Sequence, residues 1–370
     1  MNWKIFLILI FGLFSESAFT QNEKFAIWQV KALLKGANVH PYKHFSSYSM
    51  RDPIFKDDLV ELKSLGANLV VANYPGVFTY YPPYEIDSLH LMNLDSIVNY
   101  SREIDLKLVI ALRSGPGRSL QVFDNEGRED ELLFHDKQAK EKYIEMCQFI
   151  VDRYKANDHI IGYNFLLEPH ADNPVYLPPV FDSTYFNFIE DLISNTRKVD
   201  PHIPIIIQPL GWAYPDRFYS MKTFSDSFLV YSCNMYFPHP FTNELNDSVY
   251  PGNYYYRDSI VYVDSITLKD LFYNVIRFKA EHNVPIFINE YGGRRFKKGF
   301  LTYLQDLHSL FLQEGFHFAF YVWKSEWGNV HGEKFGDYNY LKGTAEKSND
   351  ENHENELMNE FKRVWKKNDF

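Results

Sequence analysis

Two glutamates stand where a pair of carboxyl groups could do chemistry. Glu168 lies in Leu167-Glu168-Pro169-His170, directly after the apolar run Ile160–Leu166. Glu290 lies in Glu290-Tyr291-Gly292-Gly293, directly after Pro285–Asn289. Two carboxyls facing one another suit cleavage of a glycosidic bond. One, kept protonated, gives its proton to the leaving oxygen, and the other attacks the sugar carbon or activates water. Leu166, Leu167 and Pro169 flank Glu168, and low local polarity raises a carboxyl pKa, which suits Glu168 to the acid role. Two other readings compete: both carboxylates held in salt bridges, or both ligating a metal. The metal reading lacks a compact His/Asp cluster, and no CxxC, HExxH or EF-hand spacing occurs, so neither a metal nor a cofactor is expected.

These glutamates need elements to position them, and the chain alternates strand and helix. Expected strands are Leu33–Asn38, Asn68–Ala72, Lys107–Leu112, Ile160–Leu166, Pro204–Gln208, Phe228–Cys233, Pro285–Asn289 and His317–Trp323. Expected helices fall near Phe55–Leu65, Leu91–Ile104, Asp136–Tyr154, Ser183–Val199, Pro215–Lys222, Thr267–His282 and Lys298–Glu314, with a terminal one at Glu354–Lys366. Most strands are continuous apolar runs, as parallel strands covered on both faces should be. Eight such strands alternating with helices predict an α/β fold, a (β/α)8 TIM barrel, whose active site is assembled where the strands end. No linker or short repeat divides the chain, so Gln21–Phe370 is expected to form one catalytic domain. The acidic stretch Glu346–Glu356 reads as a solvated loop.

The composition narrows the partners. Lys and Arg number 38 against 48 Asp and Glu, a net charge of −10, which disfavours a nucleic-acid binder. Aromatic residues make up 18%, which fits either a rich core or a surface that stacks on sugars. Cys147 and Cys233 are expected to be two buried thiols, since a large core needs no staple. Residues 1–20 read as a secretory signal peptide: Lys4, the apolar run Ile5–Phe14, then small Ala18 and Thr20 before a cleavage point near Thr20–Gln21. The run is too short to span a bilayer, and no cysteine lies near the cleavage point. A secreted or periplasmic protein without stable membrane insertion is therefore expected. The sequence carries no signal of oligomeric state.

The stretches IIGYNFLLEP at Ile160–Pro169, VPIFINEYG at Val284–Gly292 and NMYFPHPFT at Asn234–Thr242 resemble glycoside hydrolase family 5, the cellulase family of retaining clan-A barrels. Leu65–Val71, Pro116-Gly117, Tyr250-Pro251-Gly252 and Trp323 are weaker echoes, and the ordered set covers nearly the whole mature chain. The resemblance implies that Glu168 is the acid/base, Glu290 the nucleophile, Tyr236 a hydrogen-bond donor to the nucleophile and Trp323 the aromatic platform under the sugar. It also exposes departures. The family's Asn before the acid/base, which binds the sugar 2-hydroxyl, aligns with Leu167. Its Arg at the end of the second strand aligns with Val71, its His after the third strand with Arg113, and its His in the HxY motif with Asn234.

One cation is thus missing at Val71 and another present at Arg113, so Arg113 is expected to supply the charge beside Glu290. The competing expectation is an Arg113 turned to solvent. Asn73, Trp212 and His239 are further candidates for substrate contact. Tyr80, Tyr81 and Tyr84 after the second strand and Tyr254–Tyr256 after the sixth are expected to wall a sugar cleft. The leading reading is a retaining hydrolase of β-linked glycans. The alternative is a glycan-binding protein on a decayed barrel. A non-glycosidic hydrolase would need another nucleophile, and no Ser stands in a GxSxG elbow.

Overall fold

The computed structural model describes residues 16–30, 32–40, 53–119, 132–170, 182–325, 329–330, 333–334 and 336–366, with backbone alone at 16–22, 329–330 and 333–334. The apolar run expected as an export signal lies outside the described residues. Eight parallel strands close a barrel in the order β1-β10-β9-β6-β5-β4-β3-β2. They are β1 (Lys35–Val39), β2 (Leu69–Tyr74), β3 (Lys107–Leu112), β4 (Ile160–Asn164), β5 (Ile205–Ile207), β6 (Leu229–Met235), β9 (Ile286–Tyr291) and β10 (His317–Phe320). Between β6 and β9 stands an antiparallel hairpin, β7 (Gly252–Tyr256) and β8 (Ser259–Val263), and two short strands follow β10, β11 (Asn329–Val330) and β12 (Glu333–Lys334).

The helices run α1 (Glu16–Gln29), α2 (Lys56–Ser64), α3 (Ser88–Glu103), α4 (Leu132–His135), α5 (Lys137–Tyr154), α6 (Asp182–Arg197), α7 (His239–Thr242), α8 (Ser265–Leu271), α9 (Tyr273–His282), α10 (Phe300–Glu314) and α11 (Glu356–Trp365). Side-chain oxygens of Asp87, Asp136 and Asp264 cap α3, α5 and α8 by accepting from backbone N–H groups of the first turn.

The strands are buried on both faces, which is why they read as unbroken apolar runs. One face meets the helices. The other fills the barrel with Leu69, Val71, Val109, Ala111, Ile161, Ile206, Val230, Phe287 and Ala319. At the floor, α1 closes the barrel: the Trp28 indole N–H donates to the Ile161 carbonyl at 2.8 Å, and the Trp28 carbonyl lies 3.0 Å from His317 Nε2. This helix runs across the expected cleavage point at Thr20–Gln21.

The register contains one irregularity that matters for chemistry. Cys233 pairs with Ile288, yet the next pair is Asn234 with Glu290, so Asn289 is an extra residue in β9. A bulge rotates the strand beyond it. Phe287 faces the interior, and the bulge brings Glu290, three residues later, to the same face as Asn234.

Several expectations are corrected. The helix expected over Thr267–His282 breaks at Phe272 into α8 and α9. The segment Pro215–Lys222 forms only a 3₁₀ turn, Pro215–Tyr219. The strand expected to end at Trp323 stops at Phe320, followed by a cis peptide between Tyr321 and Val322. The aromatic loop around Tyr254–Tyr256 is the hairpin, with Tyr255, Ile260 and Tyr262 on its exposed face. The acidic stretch before α11 is the largely exposed loop expected, and the buried Arg295 guanidinium anchors its start by donating to the carbonyls of Gly343 at 2.9 Å, Glu346 at 3.1 Å and Ser348 at 3.1 Å. Cys147 and Cys233 are both buried and unpaired.

Candidate active site

Glu290 is brought to the mouth by β9 and is 2% exposed. Three neighbouring elements aim donors at it. Tyr236, just past β6, donates its hydroxyl to Oε2 at 3.0 Å. Asn73, near the end of β2, donates Nδ2 to Oε1. Arg113, just past β3, holds Nη1 3.6 Å from Oε1. The same Nη1 donates to Asn73 Oδ1 at 2.9 Å. That bond fixes which end of the Asn73 amide meets the carboxylate, since an amide offers an acceptor at one end and a donor at the other. Asn38, on β1, continues the row: its Nδ2 donates to the Asn289 carbonyl at 2.7 Å.

Glu168 follows β4 and is held differently. Its backbone lies in the left-handed region at φ 50°, a conformation that costs a non-glycine residue about 1–3 kcal/mol and persists only where neighbours enforce it. Here Glu168 N–H donates to Gln208 Oε1 at 2.7 Å, and its carbonyl accepts from Arg118 Nη2 at 3.1 Å. His170 Nδ1 is also 2.9 Å from that carbonyl. The carboxyl accepts from Asn234 Nδ2 at 2.8 Å.

The electrostatics follow from burial of two like groups. Burial pushes the Glu168 carboxyl up, and Arg113, the Asn234 N–H and Arg118 oppose it. Burial and the neighbouring Glu168 charge push Glu290 up to about 8, against Arg113, Tyr236 and Asn73. Each carboxylate therefore resists the other, and the pair retains one proton near neutrality. When Glu168 carries that proton the repulsion on Glu290 vanishes, and the three donors around Glu290 hold the charge there. An ionised Glu290 beside a protonated Glu168 is the division of labour that glycosidic cleavage needs.

Of the residues singled out in the sequence, Glu168, Glu290, Asn73, Arg113, Asn234 and Tyr236 converge. Arg113 is 8% exposed and faces Glu290, not solvent. Val71 is fully buried in the barrel interior, and Asn73, two residues on, occupies the end of β2. Leu167 likewise points into the interior packing. Trp212 stacks on His170, ring centroids 3.5 Å apart and planes within 6°, beside the Glu168 loop.

Two residues do not fit their expected roles. Trp323 is 4% exposed within the hydrophobic core, its indole N–H donating to the Asp58 carbonyl at 2.8 Å, so it is not a platform for sugar. The aromatic residue that the eighth barrel strand presents to the carboxyls is Tyr321, which feels Arg113, Glu290 and Glu168 and packs with Tyr338 and Tyr236. His239 is exposed and pairs with Glu244 at 3.7 Å, and among the described residues it makes no hydrogen bond or ion pair with either carboxyl. Tyr84 and Tyr254 are buried in packing rather than walling a cleft, whereas Tyr80 is half-buried and Tyr81 exposed. Gln208, Arg118, Tyr321 and Asn38 were not marked by sequence reasoning. Gln208 had a signal, a lone polar residue closing the apolar run PIIIQ. Among the described residues no group of His, Cys, Asp or Glu side chains is arranged to hold a metal ion.

A family model described as Cellulase (glycosyl hydrolase family 5) matches residues 30–327. A protein named "Probable glucan 1,3-beta-glucosidase A" from Aspergillus fumigatus is 26% identical over 201 residues, 54% of this chain and 44% of that protein. Endoglucanase C from Acetivibrio thermocellus is 24% identical over 176 residues, 44% of this chain and 47% of the endoglucanase. The chain thus spans about half the length of these curated relatives. Among solved structures, one described as a glycoside hydrolase superposes with TM-score 0.69 at 18% identity, covering 90% of this chain and 99% of its own. Thermotoga maritima Cel5A in complex with cellobiose superposes with TM-score 0.63 at 16% identity, covering 86% of this chain and 98% of its own. At these identities the superpositions establish the barrel fold.

Proposed function

The chain belongs to glycosyl hydrolase family 5, and we propose that it hydrolyses β-linked glycans with retention through a covalent intermediate on Glu290. Glu290 attacks the anomeric carbon while Glu168 protonates the departing glycosidic oxygen. Glu168, now a carboxylate, then takes a proton from the water that releases the sugar. The observation that carries this reading is the convergence of Tyr236, Asn73 and Arg113 on the Glu290 carboxylate, while among the described residues the Glu168 carboxyl accepts one hydrogen bond, from Asn234. That asymmetry stabilises charge on one glutamate and leaves the proton to the other.

The substrate class is inferred from the relatives' names and from the complexes their neighbours form. The relatives are a glucan 1,3-β-glucosidase and an endoglucanase, and Cel5A has been solved with cellobiose and with mannotriose. A β-linked hexopyranose chain is the substrate proposed here. Leu167 offers no hydrogen bond where the family resemblance implies a partner for the sugar 2-hydroxyl. The sugar at the cleavage point is accordingly held by other groups than in a typical cellulase, and plain cellulose oligomers are not expected to be the best substrates. Export from the cell belongs to the same proposal and rests on the N-terminal sequence pattern alone.

The glycan-binding alternative fits less well. The changed positions have new partners rather than gaps: Arg113 pairs with Glu290, and Asn234 bonds Glu168. The deciding experiment is a panel of aryl β-glycosides and polysaccharides, tested with the wild type and Glu290→Gln. Turnover by the wild type that Glu290→Gln abolishes supports the hydrolase. Glycan binding without turnover in either protein would favour the alternative.

A further inference from the structure

Gln208 follows β5 and has no part in the proposed chemistry. Its side chain is 1% exposed. Oε1 accepts from Glu168 N–H at 2.7 Å, while Nε2 donates to Asn234 Oδ1 at 2.9 Å and to Ser232 Oγ at 3.3 Å. Asn234 returns the connection by donating Nδ2 to Glu168 Oε1 at 2.8 Å. The three residues close a ring that starts at the Glu168 backbone and ends at the Glu168 carboxyl.

The ring has only one consistent direction. A backbone N–H can only donate, so Gln208 must turn its oxygen to Glu168 and its NH₂ to Asn234. Asn234 must then present its oxygen to Gln208 and its NH₂ to the carboxyl. Without Gln208, a protonated Glu168 could donate its O–H to the Asn234 oxygen, and nothing in the ring would keep the donor end of Asn234 on the carboxyl. Gln208 also grips the N–H side of a residue held at φ 50°, opposite the Arg118 contact to its carbonyl.

We infer that Gln208 is a positioning residue for Glu168, fixing both the backbone of the acid/base and the orientation of the Asn234 amide that touches its carboxyl. The other charged or titratable groups facing Glu168 are Arg113 and Arg118 from the segment after β3, Glu290 from β9, Tyr236 from the end of β6, Tyr321 from the end of β10 and His170 from its own loop. They are unchanged in Gln208→Met and Asn234→Ala, the two variants that test the inference.

The kinetic arm of the test rests on the hydrolase reading, and the titration arm does not. The Glu168 carboxyl is titrated by ¹³C NMR in glutamate-labelled protein, assigned by difference against Glu168→Gln. Gln208→Met removes all three hydrogen bonds of the side chain at similar volume. The Glu168 midpoint is expected to rise by about one pH unit, because its carboxylate loses an oriented donor. Asn234→Ala should give a similar rise, and the double variant no more than either alone. An unchanged midpoint in Gln208→Met, or additive shifts in the double variant, would overturn the inference.

Should Gln208→Met not fold, the wild type still decides. The NH₂ protons of Gln208 and Asn234 should exchange slowly with solvent and shift with the Glu168 titration. Exchange at the rate of a free amide would overturn the inference. On any aryl β-glycoside that the wild type turns over, the basic limb of kcat/KM should move up with the NMR midpoint. A merely structural role would lower the rate at every pH and leave that limb in place. Absence of wild-type turnover on every glycoside would count against the hydrolase reading, and the titration would still decide the role of Gln208.

Discussion

Arg113 and Glu290 face one another in the barrel mouth, Nη1 to Oε1 3.6 Å, with Asn73 bonded to both. The guanidinium thus acts on the carboxylate twice, by its charge and by orienting the amide between them. Arg113→Ala is expected to lower kcat by about 100-fold, in the range found when an oriented electrostatic contact is lost. The acidic limb of kcat/KM should move to higher pH, because Glu290 loses its counter-charge and holds its proton more tightly. Wild-type rates with an unmoved limb would contradict this.

Burial of the Glu290 carboxyl has a cost in stability with a defined sign. Burial and mutual repulsion raise the proton affinity of the Glu290–Glu168 pair, so the folded pair keeps one proton up to about pH 8, whereas unfolded glutamates lose theirs near about 4.3. Between these values the folded state binds more proton than the unfolded one, so stability falls as pH rises. Glu290→Gln cannot ionise and escapes the penalty. It should match the wild type in Tm near pH 4 and exceed it by about 2 °C or more at pH 8. Equal melting temperatures at both values would contradict the assigned shift.

Tyr321 and Trp323 separate by a KM-against-Tm comparison. Trp323→Phe loses the bond to the Asp58 carbonyl and core volume. It should lower stability by about 1–3 kcal/mol and leave KM unchanged. Tyr321→Ala should raise KM by about tenfold, because Tyr321 is the ring beside both carboxyls. The reverse pattern would return the platform role to Trp323.

Arg295 is fully buried and gathers the carbonyls of Gly336, Lys342, Gly343, Ala345, Glu346 and Ser348. Arg295→Met strands several of them, at about 1–3 kcal/mol for each carbonyl that stays dry. A thermal melt should show a clear drop in Tm, and an unchanged melt would contradict the anchoring role.

The barrel was legible because its physics is local. Continuous apolar runs mark strands covered on both faces, and Lys107–Leu112 has the same bounds in sequence and structure. Glu168 and Glu290 were legible because each is a charged residue directly after such a run. The bulge at Asn289 was not, since an extra residue in one strand is defined only by its partner strand. The β7–β8 hairpin was missed because its turn is Arg257-Asp258, both at positive φ, without the Asn-Gly signal that marks such turns. Trp323 was misplaced because the strand ends at Phe320, after which alternation no longer says which ring faces the mouth.

The central claim is that Glu290 attacks the sugar carbon and Glu168 serves as acid and then base. It is tested most directly by following hydrolysis of a β-glycoside substrate with ¹H NMR and reading the anomer released first. Two displacements at one carbon predict that the β anomer appears first and converts slowly to α. The α anomer appearing first would mean a single displacement by water and would contradict the account.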